Sequence, residues 1–114
     1  MLFEERDRAY LWDMREAAQD VIGFLKGIRY DDFVPNKMIR YAVERQLMVI
    51  GEAANHVSEV FQEKHPEIPW RQIIGQRNVL AHEYGDIKVD RIWSAATVNI
   101  PVLLKALEPL IPEE

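Results

Sequence analysis

Gly75-Gln76-Arg77-Asn78-Val79-Leu80-Ala81-His82-Glu83-Tyr84-Gly85 decides how this chain is read. Within eight residues it gathers a guanidinium, an imidazole and a phenol, at Arg77, His82 and Tyr84. A guanidinium offers a planar fork of donors that fits phosphate oxygens. An imidazole can give or take a proton near neutral pH. A phenol can donate or accept a hydrogen bond, and its oxygen can be modified. On an ideal helix, positions five apart lie about 140° apart around the axis. Arg77 and His82 would therefore share no face of a straight helix. Either the helix loosens between them, or each meets groups from another element or another subunit. Gly75 and Gly85 bracket the stretch and are plausible breaks.

Outward from this stretch, apolar residues recur at helical spacing. Leu11, Met14, Ala18, Val21, Leu25 and Ile28, widened by Ile22 and Phe24, predict a first helix from about Glu4 to Lys26, with Gly27 as its terminator. Arg29 to Pro35 reads as a connection in which Asp31 or Asp32 could cap the next helix. A second helix is expected from Pro35 or Asn36 to about Lys64, with Ile39, Val43, Leu47, Ile50, Ala54, Val57 and Phe61 buried. Gly51 lies inside it, where glycine costs roughly 1 kcal/mol relative to alanine. Close approach of another backbone would offset that cost. Glu52 is either a solvated carboxylate or an orienting partner for Arg77 or His82.

His65-Pro66-Glu67-Ile68-Pro69 should end the second helix. A short third helix from Pro69 carries Trp70, Ile73 and Ile74, and the central stretch comes directly after it. Tyr84-Gly85-Asp86 should begin a turn. A last helix is expected from Val89 or Asp90 to about Leu107, with Ile92, Trp93, Ala96, Ile100, Leu103, Leu104 and Leu107 buried and a kink at Pro101. Pro109 and Pro112 fall in a tail. No stretch reads as a strand. The expected fold is all-α: an antiparallel four-helix bundle with an additional short helix before the motif, forming a single domain over residues 1–114.

The 114 residues suffice for one core, and a hydrophobic fraction of 48% argues against disorder. A net charge of −5 disfavours a broad basic surface for unspecific nucleic-acid binding, though not a local cationic cleft. Without cysteine there is neither disulfide nor thiolate metal site. His56, His65 and His82 lack metal-ligand spacing, so neither metal nor other cofactor is expected. The N-terminus has no apolar signal core, and no apolar run is long enough to span a bilayer. A soluble cytoplasmic protein with no membrane partner is the expectation.

The pattern Arg77-Asn78-x3-His82-x-Tyr84, with Ile73-Ile74-Gly75 before it and Val89-Asp90-Arg91-Ile92-Trp93 after it, resembles the signature of the HepT-like toxins of the HEPN superfamily. Ile50-Gly51-Glu52-Ala53 also looks like its counterpart in that family, and the resemblance covers nearly the whole chain. It implies the toxin of a type II toxin–antitoxin system, a metal-independent endoribonuclease in which the RNA 2′-hydroxyl attacks the adjacent phosphate. Arg77 and His82 would be catalytic, with Asn78 and Glu52 in support. A homodimer would set two motifs across one cleft. The implied partner is an MntA-like nucleotidyltransferase antitoxin that transfers AMP to Tyr84. The alternative is a non-catalytic module that binds such a nucleotidyltransferase.

Overall fold

A computed structural model describes residues 3–82 and 89–112, with side chains for residues 5–80 and 89–112. All regular structure among these is helical: α1 (Phe3–Leu25), α2 (Tyr30–Phe33), α3 (Lys37–His56), α4 (Glu59–Lys64), α5 (Trp70–His82), α6 (Val89–Ser94), a π-helical turn (Ala95–Asn99), α7 (Ile100–Leu107) and a 3-10 turn (Glu108–Leu110). The expected turn at Tyr84-Gly85-Asp86 lies outside the described residues. No helix among the described residues is long and apolar enough to cross a membrane.

Helix α3 is the centre of the bundle. It packs along α1 on one side and along α5 on another, while α7 closes over α1. Cross-links give the direction of the α1–α3 pair. Asp7 meets Ser58, Tyr10 stacks on His56, and Asp20 accepts a bond from Gln46. Rising numbers on α1 pair with falling numbers toward and along α3, so the two run antiparallel. The core draws Leu11, Met14, Ala18 and Val21 from α1, Val43, Leu47, Ile50 and Ala54 from α3, and Ile92, Ala96, Ile100, Leu103 and Leu107 from the C-terminal helices. These are the stripes read from the sequence. Ile22 and Phe24 remain exposed, because they fall outside the arc that α3 and α7 cover.

Local chemistry sets the ends of the elements. Gly27 has a φ of 77°, the left-handed conformation that closes α1 with little steric cost. Asn36 caps α3, its side chain accepting from the Ile39 N–H at 3.0 Å. The connection between α1 and α3 contains the short helix α2, which exists to deliver Phe33. That ring is fully buried and packs 5.0 Å, centroid to centroid, from Trp93.

The expected second helix is two helices. Val57 and Ser58 are extended, and the chain restarts at Ser58 as the cap of α4, whose hydroxyl accepts from the Phe61 N–H at 3.2 Å. Asp7 of α1, only 6% exposed, fixes the break. Its carboxylate accepts from the Ser58 N–H at 2.9 Å and from the Ser58 hydroxyl at 2.7 Å. The Gln62 amide turns back and donates to the Val57 and Ala54 carbonyls at 3.0 and 3.3 Å, giving donors to the end of α3. The continuous apolar stripe from Ile39 to Phe61 concealed this break. Ala54 and Val57 are buried up to the break and Phe61 is half-buried beyond it, so hydrophobic spacing alone does not register the change of direction.

The third expected helix is longer than a lead-in to the motif. It is continuous with Arg77 and His82 as α5, and Gly75 lies inside it without a break. The additional short helices are instead α2 and α4. The Trp70 indole anchors the start of α5 by donating to the His65 carbonyl at 2.9 Å. The last helix departs from α geometry ahead of Pro101. Proline has no N–H for the Thr97 carbonyl. The preceding turn widens to π geometry, with the Ile100 N–H reaching the Ala95 carbonyl. The Thr97 hydroxyl donates to the Trp93 carbonyl at 2.7 Å where the register changes. The apolar face then resumes with Leu103 and Leu107.

Asp7→Ala should destabilise the protein by about 1–3 kcal/mol, because it strands the Ser58 N–H in a partly buried setting. Urea unfolding measures this, and an unchanged midpoint would mean that the α3–α4 break does not depend on Asp7.

Candidate functional site

The seam between α3 and α5 is unusually close at one point. A Cβ built on Gly51 would collide with the Cβ of Arg77, and would lie 2.9 Å from its Cγ and 3.0 Å from the Ile73 carbonyl oxygen. Glycine is the residue that fits this contact. The helix-propensity cost noted at position 51 is thus offset by packing of the second helix. Gly75, by contrast, faces open space, where an added Cβ would meet nothing within 4 Å. The two glycines have different meanings, and only the first is required by a neighbour.

The close seam brings the base of Arg77 against the turn that carries Glu52. Arg77 Nε donates to Glu52 Oε2 at 2.8 Å, and an Arg77 terminal nitrogen donates to the Asn78 side-chain oxygen at 2.8 Å. Of the two readings of Glu52, the orienting partner of Arg77 describes its geometry. A guanidinium has five N–H donors, and these two bonds leave part of the fork for an anion. The Arg77 side chain is 26% exposed and that of Glu52 is 53% exposed. An ion pair this open to water contributes about 0–1 kcal/mol to stability. Its consequence is orientation rather than stability.

The Arg77 hydrogen bond, and then its charge, hold the Glu52 carboxyl below its ordinary range, with smaller help from His56 and Arg45. A lowered carboxyl pKa means that the charged pair is intact at neutral pH. It is lost only in acid, as pH falls below the usual value of 4.5 through the depressed one. At neutral pH Glu52 is an anion and keeps its grip on Arg77.

Arg77, Asn78 and Glu52 are therefore brought together. His82 is the last residue of α5, and the helix is continuous between it and Arg77. The two positions thus lie about 140° apart around one axis, and of the two alternatives the helix does not loosen between them. The His82 side chain and Tyr84 lie outside the described residues. Two basic residues beside the site were not singled out as part of it from the sequence. Arg45 and His56 act on the Glu52 carboxylate and share its pocket. Their signal was present as spacing: positions 45, 52 and 56 fall within about 40° of arc on one helix face. Among the described residues, no group of three or more His, Asp or Glu is placed to hold a metal ion.

An all-helical bundle seating the arginine of an Arg-x4-His-x-Tyr sequence against a carboxylate of the neighbouring helix is of the HEPN class. The HepT-like family, described as ribonuclease HepT-like, matches residues 14–110, and the chain belongs to it. Relatives named "Putative RNase" include MJ1380 of Methanocaldococcus jannaschii, 44% identical over 101 residues, covering 89% of this chain and 93% of the relative. TTE0752 of Caldanaerobacter subterraneus, under the same description, is 35% identical over 107 residues, covering 94% and 96%. A protein of Thermococcus cleftensis named "Probable ribonuclease HepT" is 37% identical over 101 residues, covering 89% and 92%. No solved structure matches the chain significantly.

Gly51→Ala should push α5 away from α3. Overpacking against a fixed backbone costs about 1–3 kcal/mol, against roughly 1 kcal/mol gained in helix propensity. A lower urea midpoint is expected, with the Arg77–Glu52 bond lengthened in a crystal structure of the variant. A midpoint equal to or above wild type would contradict the close approach.

Proposed function

We propose that this protein is an endoribonuclease that works without a metal ion, and that its active centre is built on Arg77, His82 and Asn78 with Glu52 behind them. The observation that carries this reading is the Arg77 guanidinium, held from one side by Glu52 and Asn78 with donors to spare, in a chain of the ribonuclease HepT-like family. In the proposed reaction the 2′-oxygen of RNA attacks the neighbouring phosphorus as its proton is taken by a base. The bond from phosphorus to the 5′-oxygen breaks, and that oxygen receives a proton from an acid. The products are a 2′,3′-cyclic phosphate and a 5′-hydroxyl. Arg77 stabilises the charge that builds on the phosphoryl oxygens. His82 serves as base or acid.

One imidazole per motif leaves the second proton transfer without a partner. Moreover, positions 77 and 82 diverge around a single helix. A symmetric homodimer, with two motifs across one cleft, would supply two imidazoles and two guanidiniums without a second gene. In the same reading the protein is the toxin of a toxin–antitoxin pair, acting on RNA in the cytoplasm. A nucleotidyltransferase antitoxin silences it by transferring AMP to Tyr84. The added phosphate would compete for Arg77 and repel the RNA backbone.

Arg77→Ala should reduce RNA cleavage by about 10²–10³-fold, the scale for removing a donor that stabilises a developing oxyanion. For His82→Ala the expected loss is about 10²–10⁴-fold. Cleavage should persist in excess chelator and leave cyclic phosphate ends. Undiminished cleavage by both folded variants would refute the assignment, and loss of wild-type cleavage in chelator would refute the metal-free mechanism.

A separate measurement addresses Tyr84. After incubation with the nucleotidyltransferase and ATP, intact mass should rise by about 329 Da per transfer, as expected for adenylyl addition to a hydroxyl. The increment should be absent from Tyr84→Phe, which should also escape neutralisation. An increment that maps to another residue would remove Tyr84 from the regulatory role.

A further inference from the structure

Beyond the Arg77 centre, a cleft opens between α1 and α3 with a volume of about 410 Å³. That size falls within the roughly 300–1,000 Å³ typical of small-molecule sites. Its floor is apolar, formed by half-buried Met48 and Val49. Its rim carries Tyr10 and Asp13 from α1, and Arg45, Glu52 and His56 from α3. Glu52 is the carboxylate that holds Arg77, so the cleft and the candidate catalytic centre share a wall.

Two rim groups have unspent capacity. Arg45 is exposed and makes neither hydrogen bond nor ion pair with a described residue; its influence on Glu52 is through space. His56 is exposed, and its ring is held by stacking on Tyr10 at 5.2 Å with 23° between the planes. That stack takes one face of the imidazole and fixes the ring's orientation, while His56 as a whole remains exposed. Positions 45, 52 and 56 form a row along α3. His56 lies one turn, about 6 Å, from Glu52, and Arg45 lies two turns, about 10 Å, in the other direction. The row thus reads guanidinium, then the Glu52–Arg77 pair, then an aromatic ring.

We infer that this cleft is a subsite for single-stranded RNA on either side of the cleaved bond, with Arg45 binding a neighbouring phosphate and His56 stacking on a neighbouring base. The inference rests on the ribonuclease reading above and extends it to the substrate. Single-stranded RNA is recognised by this combination of backbone cation and stacking ring. Asp13 and the apolar floor add an acceptor for a base amino group and a surface for its ring. The arrangement accounts for RNA binding by a chain of net charge −5, because recognition is placed in one row of α3 rather than in an overall field.

The test uses the intact protein, an RNA oligonucleotide with a single 2′-deoxy substitution at the scissile position for binding, and its all-ribose counterpart for cleavage. Arg45→Ala should lower the slope of log Kd against log salt by about 0.7, the increment for one phosphate contact on a single strand. Arg45→Lys should restore it. His56→Ala should weaken binding by roughly tenfold, the scale of one lost base stack, with little change in the salt slope. In cleavage, both alanine variants should raise KM far more than they lower kcat. Lys105→Ala, an exposed cation on α7, is the control and should leave the slope at its wild-type value. Arg45 and His56 variants with wild-type affinity and slope would overturn the subsite, while Arg77-dependent cleavage would leave the ribonuclease reading standing. Wild-type protein that neither binds nor cleaves RNA would overturn both.

Discussion

The close passage of α5 over Gly51 is the constraint on which the site depends. Two helices packed through ordinary side chains keep their axes about 8–10 Å apart. Removing one Cβ lets the first carbons of Arg77 occupy the space that a side chain at position 51 would fill. The arginine is then committed to this face of α3 before its guanidinium makes any bond. Glu52, the next residue, supplies the charge that fixes the end of the side chain. Packing sets where the arginine starts and an ion pair sets where it ends, so a weak exposed salt bridge suffices to orient it.

The remaining irregularities serve that seam. The break at Val57 and Ser58 ends α3 soon after Glu52 and sends α4 in a new direction, and Pro66 and Pro69 help return the chain for α5 to lie against α3. Asp7 ties this break to α1, linking the first helix to the geometry of the third. The π turn before Pro101 has a comparable purpose at the other end. It absorbs a proline that cannot donate and keeps Ile100, Leu103 and Leu107 on the core face. In both places a change in backbone geometry preserves continuity of burial.

Charge and structure act at different ranges here. A net −5 repels a polyanion at a distance, and it is partly screened over about 8–10 Å at physiological salt. Within the seam the balance is local. The Arg77 hydrogen bond and charge, with smaller contributions from His56 and Arg45, hold the Glu52 carboxyl below its ordinary range. The carboxylate orients Arg77 by a direct bond, while Arg45 and His56 act on it only through space.

Much of the fold was legible in the sequence, because burial is periodic. The stripes of α1, α3 and the C-terminal helices are visible in residue spacing, and Gly27, Asn36 and Pro101 announce an end, a start and a distortion through their own backbone chemistry. The motif of Arg77, Asn78, His82 and Tyr84 was legible as a set of residue types, and Gly51 as a glycine in need of a neighbour. Other features required the tertiary structure. That Gly51 accommodates Arg77, that Glu52 reaches it across 25 positions of chain, and that Asp7 holds Ser58 across 51 are properties of helices meeting. The break after Val57 was hidden because apolar residues that continue at helical spacing across a turn, as Val57 and Phe61 do, look the same as a stripe on one helix. Local sequence determines what each segment can form; which side chains meet is decided by the packing of segments distant in sequence, where one missing Cβ sets how close two helices come.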